Sequence, residues 1–249
     1  MLSYLLFITI TFFTLNTTQS DSINYNQGKS SYLNNGQLHL ISGAVTAQSK
    51  QDVLYSLLLV QLAANAKAPR TSISAWYENY ERTLPNIAWV LTSSAKLTPF
   101  IPSTDRISLK SVITTSLADR ITPELQDILS RSFVEIQQMK ATDPAIVEFT
   151  KDVGDGKTFN FQVQFIDERN TDVSALQFYV TLTTSASIGD DIFLLHEFDK
   201  NAVTIQVAYE SITLNSDLYA TIRQSVINKL GPDRINQFIS KIFDDGSKI

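Results

Sequence analysis

The side chains able to do chemistry are few and scattered. His39 and His196 are the only imidazoles in 249 residues, far apart in sequence, and cysteine is absent. That absence removes thiol nucleophiles, thiolate metal sites and acylation on sulfur together. Residues 191–198, DIFLLHEF, read as a strand in which His196 shares parity with Ile192, Leu194 and Phe198, so its ring points into or beside a core. Glu197 then faces the opposite side, which argues against a His196–Glu197 dyad. Carboxylates gather in residues 152–156 (DVGDG) and 189–191 (GDD), but both stretches are turn formers and neither has the twelve-residue spacing of a calcium loop. No phosphate loop, nucleophile elbow or dinucleotide fingerprint occurs. The sequence therefore predicts no catalytic residue, no metal site and no cofactor, and it favours a non-enzymatic role.

Two patterns suit binding instead. Residues 53–66, VLYSLLLVQLAANA, place apolar side chains around a whole helix expected over 49–67, relieved only by Ser56, Gln61 and small alanines. Such a helix needs burial on most sides. Its apolar stretch is too short to cross a bilayer, and Gln61 and Asn65 would be costly in hydrocarbon. A second helix over 74–84 sets Trp76, Tyr77 and Tyr80 at helical spacing, and residues 87–94 read as a strand carrying Trp89. Leu57, Leu58, Leu62, Trp76, Tyr80 and Trp89 are the expected walls of a pocket for a lipid or small apolar ligand. The other pattern is polar yet almost uncharged: Gln162, Gln164, Gln177, Thr181 and Gln206 alternate with apolar residues and are expected on the outward face of a sheet. Amides and hydroxyls there would offer neutral hydrogen bonds to a glycan or a partner protein.

The elements that position these residues follow from periodicity. Ser49 and Asp52 resemble a capping box at the start of the apolar helix. Further helices are expected over 105–121 and 122–140, the latter with Thr122 as N-cap and Pro123 in its first turn. Beyond Gly156 the period changes from helical to alternating, with strands expected at 158–165, 176–182, 191–198 and 202–214. Asn215 caps a helix that Gly231-Pro232 stops, and Ile235, Phe238, Ile239, Ile242 and Phe243 then repeat at helical spacing. The fold class expected is α+β, with N-terminal helices and C-terminal helices packed on one face of a four-stranded, mainly antiparallel sheet.

Composition bounds the partners. A net charge of −5 and no basic run oppose binding to nucleic acid and to anionic membrane surfaces. Residues 1–20 carry an apolar run from Leu5 to Leu15 and a small-residue site at Thr18-Gln19-Ser20, the pattern of a secretory signal peptide cleaved after Ser20. Residues 21–36, rich in Ser, Asn and Gly, read as a mobile leader, and 37–249 as one α+β domain with no integral membrane span. The predicted localisation is secreted.

Four stretches, QDVLYSLLLVQLAANAKAPR, WYENYERTLPNIAWV, FNFQVQF and ITLNSDLYATIRQSVINKLG, together resemble a scattered family of small bacterial and fungal proteins, over roughly residues 51–242. The layout with one long apolar helix is also similar to the Erwinia virulence factor type. That resemblance implies a host-interaction role and an apolar pocket for a fatty acyl group. The type attaches its acyl chain through a cysteine, which this chain lacks, so covalent acylation by that route is not implied. The expected function is a secreted interaction or effector protein of virulence or toxin type, acting on a host or self protein. The alternative is a lipid or small-ligand carrier, with the pocket beside residues 53–62.

Overall fold

The computed structural model describes residues 23, 25–70, 72–93, 96–151, 153, 157–186, 192 and 194–246. The signal-like residues 1–20 and most of the DVGDG and GDD stretches lie outside the described residues.

The sheet is assembled around β6 (Thr158–Arg169) and β7 (Asp172–Thr184), joined by a two-residue hairpin in which Asn170 and Thr171 both have positive φ. Such a turn matches the right-handed twist of its flanking strands. β9 (Val203–Leu214) pairs antiparallel along β7, and β3 (Trp89–Ser93) and β4 (Thr98–Phe100) share its outer edge. On the other side β2 (Gln37–Ile41) runs parallel to β6, followed by β1 (Ser30–Asn34) and β10 (Ile239–Asp244). The result is an eight-stranded mixed sheet. β5 (Arg106–Ile107) and β8 (Phe198–Asp199) form a separate short pair.

Helices cover both faces. On one, α1 (Ala47–Asn65), α2 (Ile73–Thr83) and α6 (Ser216–Phe238) pack over Ile41, Ile166, Ala175 and Ile212. On the other, α3 (Leu109–Leu117), α4 (Pro123–Gln138) and α5 (Pro144–Lys151) pack over Phe161, Val163, Phe178 and Val180. The α+β class holds, but the four-stranded sheet with helices on one face is corrected to eight strands between two helical layers.

Local differences accompany the change. Ser30–Asn34, within the expected mobile leader, is a buried strand paired on both sides. Its hairpin to β2 turns at Asn35-Gly36, and Asn35 has a φ of 54°. A β-carbon on Gly36 would stand 2.6 Å from the Arg70 guanidinium, so only glycine lets that side chain approach. The helical spacing at 235–243 is likewise overridden: α6 ends at Phe238, and Ile239–Asp244 completes the open edge of β1. Of the expected strand at 191–198, only Phe198 belongs to a strand among the described residues. α1 is capped by Thr46, whose hydroxyl accepts from the Ser49 amide, so the start expected at Ser49 moves back by three residues.

Candidate functional site

α1 is buried on most sides, as its composition requires, except along one stripe. Leu59, Leu62, Ala63 and Ala66, spaced i, i+3, i+4, i+7, form one wall of a groove of about 860 Å³. Ile222, Ser225, Val226 and Lys229 repeat the same spacing on α6 and form the opposite wall. Ile87 and Phe238 add apolar surface. Phe238 is brought back to the groove by Gly231, whose φ of 71° and ψ of 159° break α6 into two arms. That conformation is essentially reserved for glycine. The two helices are held together by a bidentate ion pair in which Arg223 Nε and Nη2 donate to the Asp52 carboxylate, each at 2.7 Å. The groove's volume falls within the roughly 300–1,000 Å³ of small-molecule sites.

Of the six pocket residues expected from the sequence, Leu62 alone lines this groove. Leu57 and Leu58 are fully buried in the core around α1. Trp76 stacks on Tyr80 at 5.0 Å, lies under the Arg70 guanidinium at 4.5 Å, and donates to Asn65 Oδ1 at 2.7 Å. Trp89 donates from its indole nitrogen to Ser56 Oγ at 2.9 Å. These aromatics close the core between α1, α2 and the sheet. The α6 wall and the second arm with Arg234 and Phe238 were missing from the expected pocket. The apolar stripe of α6 was legible, but pairing it with α1 required the fold.

The expected binding face is elsewhere than in solvent. Gln162, Gln164, Gln177 and Thr181 are buried beneath α1 and α2, and Gln206 is half-buried on β9. A solvated sheet face is thus corrected to a polar layer inside the molecule. Several of its members bond one another, while both side-chain polar atoms of Gln164 and the amide nitrogen of Gln162 meet no hydrogen-bond partner among the described residues. Gln37 donates to Gln162, and the Gln37 amide oxygen lies 3.1 Å from His39 Nε2. Gln177 donates to the Tyr80 hydroxyl at 3.1 Å, and Thr181 donates to Asn160 Oδ1 at 3.0 Å. Asn160 donates to the Arg70 carbonyl, while the Arg70 guanidinium donates to Gln61 Oε1 and the Gly36 carbonyl. Amides suit such a layer because each carries both donors and an acceptor.

The layer holds one carboxyl group, Glu210, fully buried on β9. The Tyr179 hydroxyl is within bonding distance of both Glu210 Oε2 and Gln177 Oε1. It has one proton, so a protonated Glu210 completes the chain Glu210 to Tyr179 to Gln177 to Tyr80. Burial pushes the Glu210 carboxyl up to about 7, with Tyr179 pulling down and the Glu81 charge adding to the rise. Burial also pushes the His39 imidazole down to about 3. Tyr77 meets Tyr179 edge-on at 4.6 Å, and with Glu81 they line a second cavity of about 260 Å³. Among the described residues no cluster of His, Asp and Glu has the geometry to hold a metal ion, and no helix is long and apolar enough to cross a membrane.

No protein-family model and no curated protein sequence matches the chain. Faint likenesses to solved structures exist. A delta-endotoxin aligns over 85% of this chain and 90% of its own, with 8% identity and a TM-score of 0.41. The activated Cyt2Ba monomer from Bacillus thuringiensis subsp. israelensis aligns over 73% of this chain and 97% of its own, with 10% identity and a TM-score of 0.41. The Evf virulence factor aligns over 80% of this chain and 76% of its own, with 14% identity and a TM-score of 0.37. The first of these is named an endotoxin and the third a virulence factor.

Proposed function

We propose that the protein binds a lipid or similar apolar ligand without covalent attachment in the groove between α1 and α6, acting as a carrier or lipid-responsive binding protein rather than an enzyme. The observation that carries this reading is the pair of matched helical stripes, Leu59 to Ala66 and Ile222 to Lys229, which leave apolar side chains facing a shared space instead of each other. About ten methylenes buried there, at ~0.8 kcal/mol each, contribute about 8 kcal/mol gross. Lost freedom on binding offsets part of that, which places affinities for a single alkyl chain between roughly micromolar and millimolar.

Ala63 lines the groove and is half-buried, so Ala63→Trp fills the space without entering the core. Mass spectrometry of organic extracts from purified protein is expected to find an apolar ligand near one equivalent, and less than a tenth of that in Ala63→Trp. Extracts free of lipid, together with no uptake of added twelve-carbon amphiphiles, would defeat the proposal.

A second reading concerns where the protein acts. The apolar run Leu5 to Leu15 and the site at Thr18-Gln19-Ser20 support export, and with it a role as a secreted interaction or effector protein of the toxin or virulence type. N-terminal sequencing of protein recovered outside the cell is expected to begin at Asp21, and recovery of full-length chain only inside the cell would refute it.

A further inference from the structure

The groove has a rim as well as walls. Lys67 follows the C-terminal end of α1, Lys229 closes the first arm of α6, and Arg234 stands on the second, and all three are exposed and line the groove. Among the described residues no carboxylate oxygen comes within 4.0 Å of any of them. No Asp or Glu lines the groove, and its other polar residues, Thr83, Asn86 and Ser225, are neutral. Elsewhere on the surface several cations sit beside carboxylates, Arg131 with Asp127 at 3.1 Å, Arg169 with Asp167 at 3.1 Å and Lys200 with Asp105 at 2.6 Å, while the exposed Lys96, Arg120 and Lys140 are scattered away from the groove lining. In a chain of net charge −5, three unpaired cations around one apolar groove are a local reversal of sign. Arg234 spends a single N–H on the Lys229 carbonyl at 3.0 Å, which places its guanidinium close to the end of the first arm and leaves donors for a ligand.

We infer that the groove takes a single-chain amphiphile with a phosphate monoester head, the alkyl tail lying between α1 and α6 and the head meeting Lys67, Lys229 and Arg234. The inference rests on the groove being a lipid site and adds the identity of the head. A phosphate suits this rim better than a carboxylate because it brings up to two charges and three acceptor oxygens to three cations, one of them the guanidinium fork. A head at the rim stays in contact with water, so each cation contributes modestly and the preference comes from their sum.

The test is calorimetric titration of the full chain, below micelle concentrations, with four twelve-carbon ligands: dodecyl phosphate, dodecanoate, monolauroylglycerol and dodecyltrimethylammonium. Dodecyl phosphate is expected to bind about tenfold or more tightly than the neutral glyceride, with dodecanoate between them and the ammonium weakest. The triple variant Lys67→Gln, Lys229→Gln, Arg234→Gln is expected to lose about ten- to thirtyfold more affinity for dodecyl phosphate than for the glyceride. These positions are exposed, and an unchanged urea midpoint verifies that the variant is folded. Equal binding of phosphate and glyceride, or tighter binding of dodecanoate than of phosphate, overturns the head assignment and leaves the lipid groove standing. Uptake of none of the four, with sedimentation showing a dimer, overturns both and assigns the groove to a second copy of the chain.

Discussion

Glu210 offers a sharp test of the buried polar layer. Its side chain is fully buried, its Oε2 is held by Tyr179, and among the described residues no partner meets its Oε1. Burial raises its carboxyl from 4.5 to about 7. A folded-state value above the unfolded one means that the folded chain binds the proton more tightly. The associated stability is complete below about pH 4.5 and is lost as pH rises through about 7. At about 1.4 kcal/mol per pH unit, the ionised carboxylate costs about 3 kcal/mol by pH 8. Glu210→Gln keeps the shape and a donor for Tyr179 while removing the charge. Urea unfolding at about pH 4.5 and about pH 8 is expected to show the variant close to wild type in acid and about 3 kcal/mol more stable in alkali. His39 works in the opposite sense: its lowered value costs stability as pH falls from about 6.5 toward 3, so the comparison of variant with wild type, rather than the wild-type profile alone, isolates Glu210. A difference between the two proteins that is the same at both pH values would refute the argument.

The groove's supports can be probed in the same way. Gly231→Ala is expected to cost about 1–3 kcal/mol in urea unfolding, because φ of 71° with ψ of 159° excludes a β-carbon for conformational reasons alone. Nothing lies within 4 Å of the added atom, so a loss below about half a kcal/mol would show that α6 straightens cheaply. Asp52→Asn breaks the ion pair joining α1 to α6 and is expected to cost about 2 kcal/mol, less than the ~3–5 kcal/mol of a fully buried pair, because the Arg223 side chain remains 31% exposed. A double-mutant cycle with Arg223→Gln measures the coupling, and additive losses would show that the pair contributes nothing of its own.

Much of the secondary structure was legible because it is local. Thr122 and Pro123 mark the start of α4, Asn215 caps α6, and the alternation over 158–165 announces β6. The hairpin turn at Asn35-Gly36 was read instead as part of a leader, because the composition around it is rich in Ser, Asn and Gly. The all-round apolar character of α1 required a buried helix, and α1 is one.

What only the tertiary structure decided is which surfaces meet. Alternation in β6 says that Gln162 and Gln164 share a face, but it is silent on whether water or a helix covers that face. Here α1 and α2 cover it, and amide, hydroxyl and guanidinium groups from distant segments bond part of the buried polar layer, while Gln164 meets no partner among the described residues. At 239–244 an unpaired strand edge outweighs helical spacing, since backbone groups beside β1 gain partners there. The groove exists because α1 and α6, more than 150 residues apart, lie side by side with Asp52 and Arg223 in contact, and a pattern read along one helix cannot specify its neighbour.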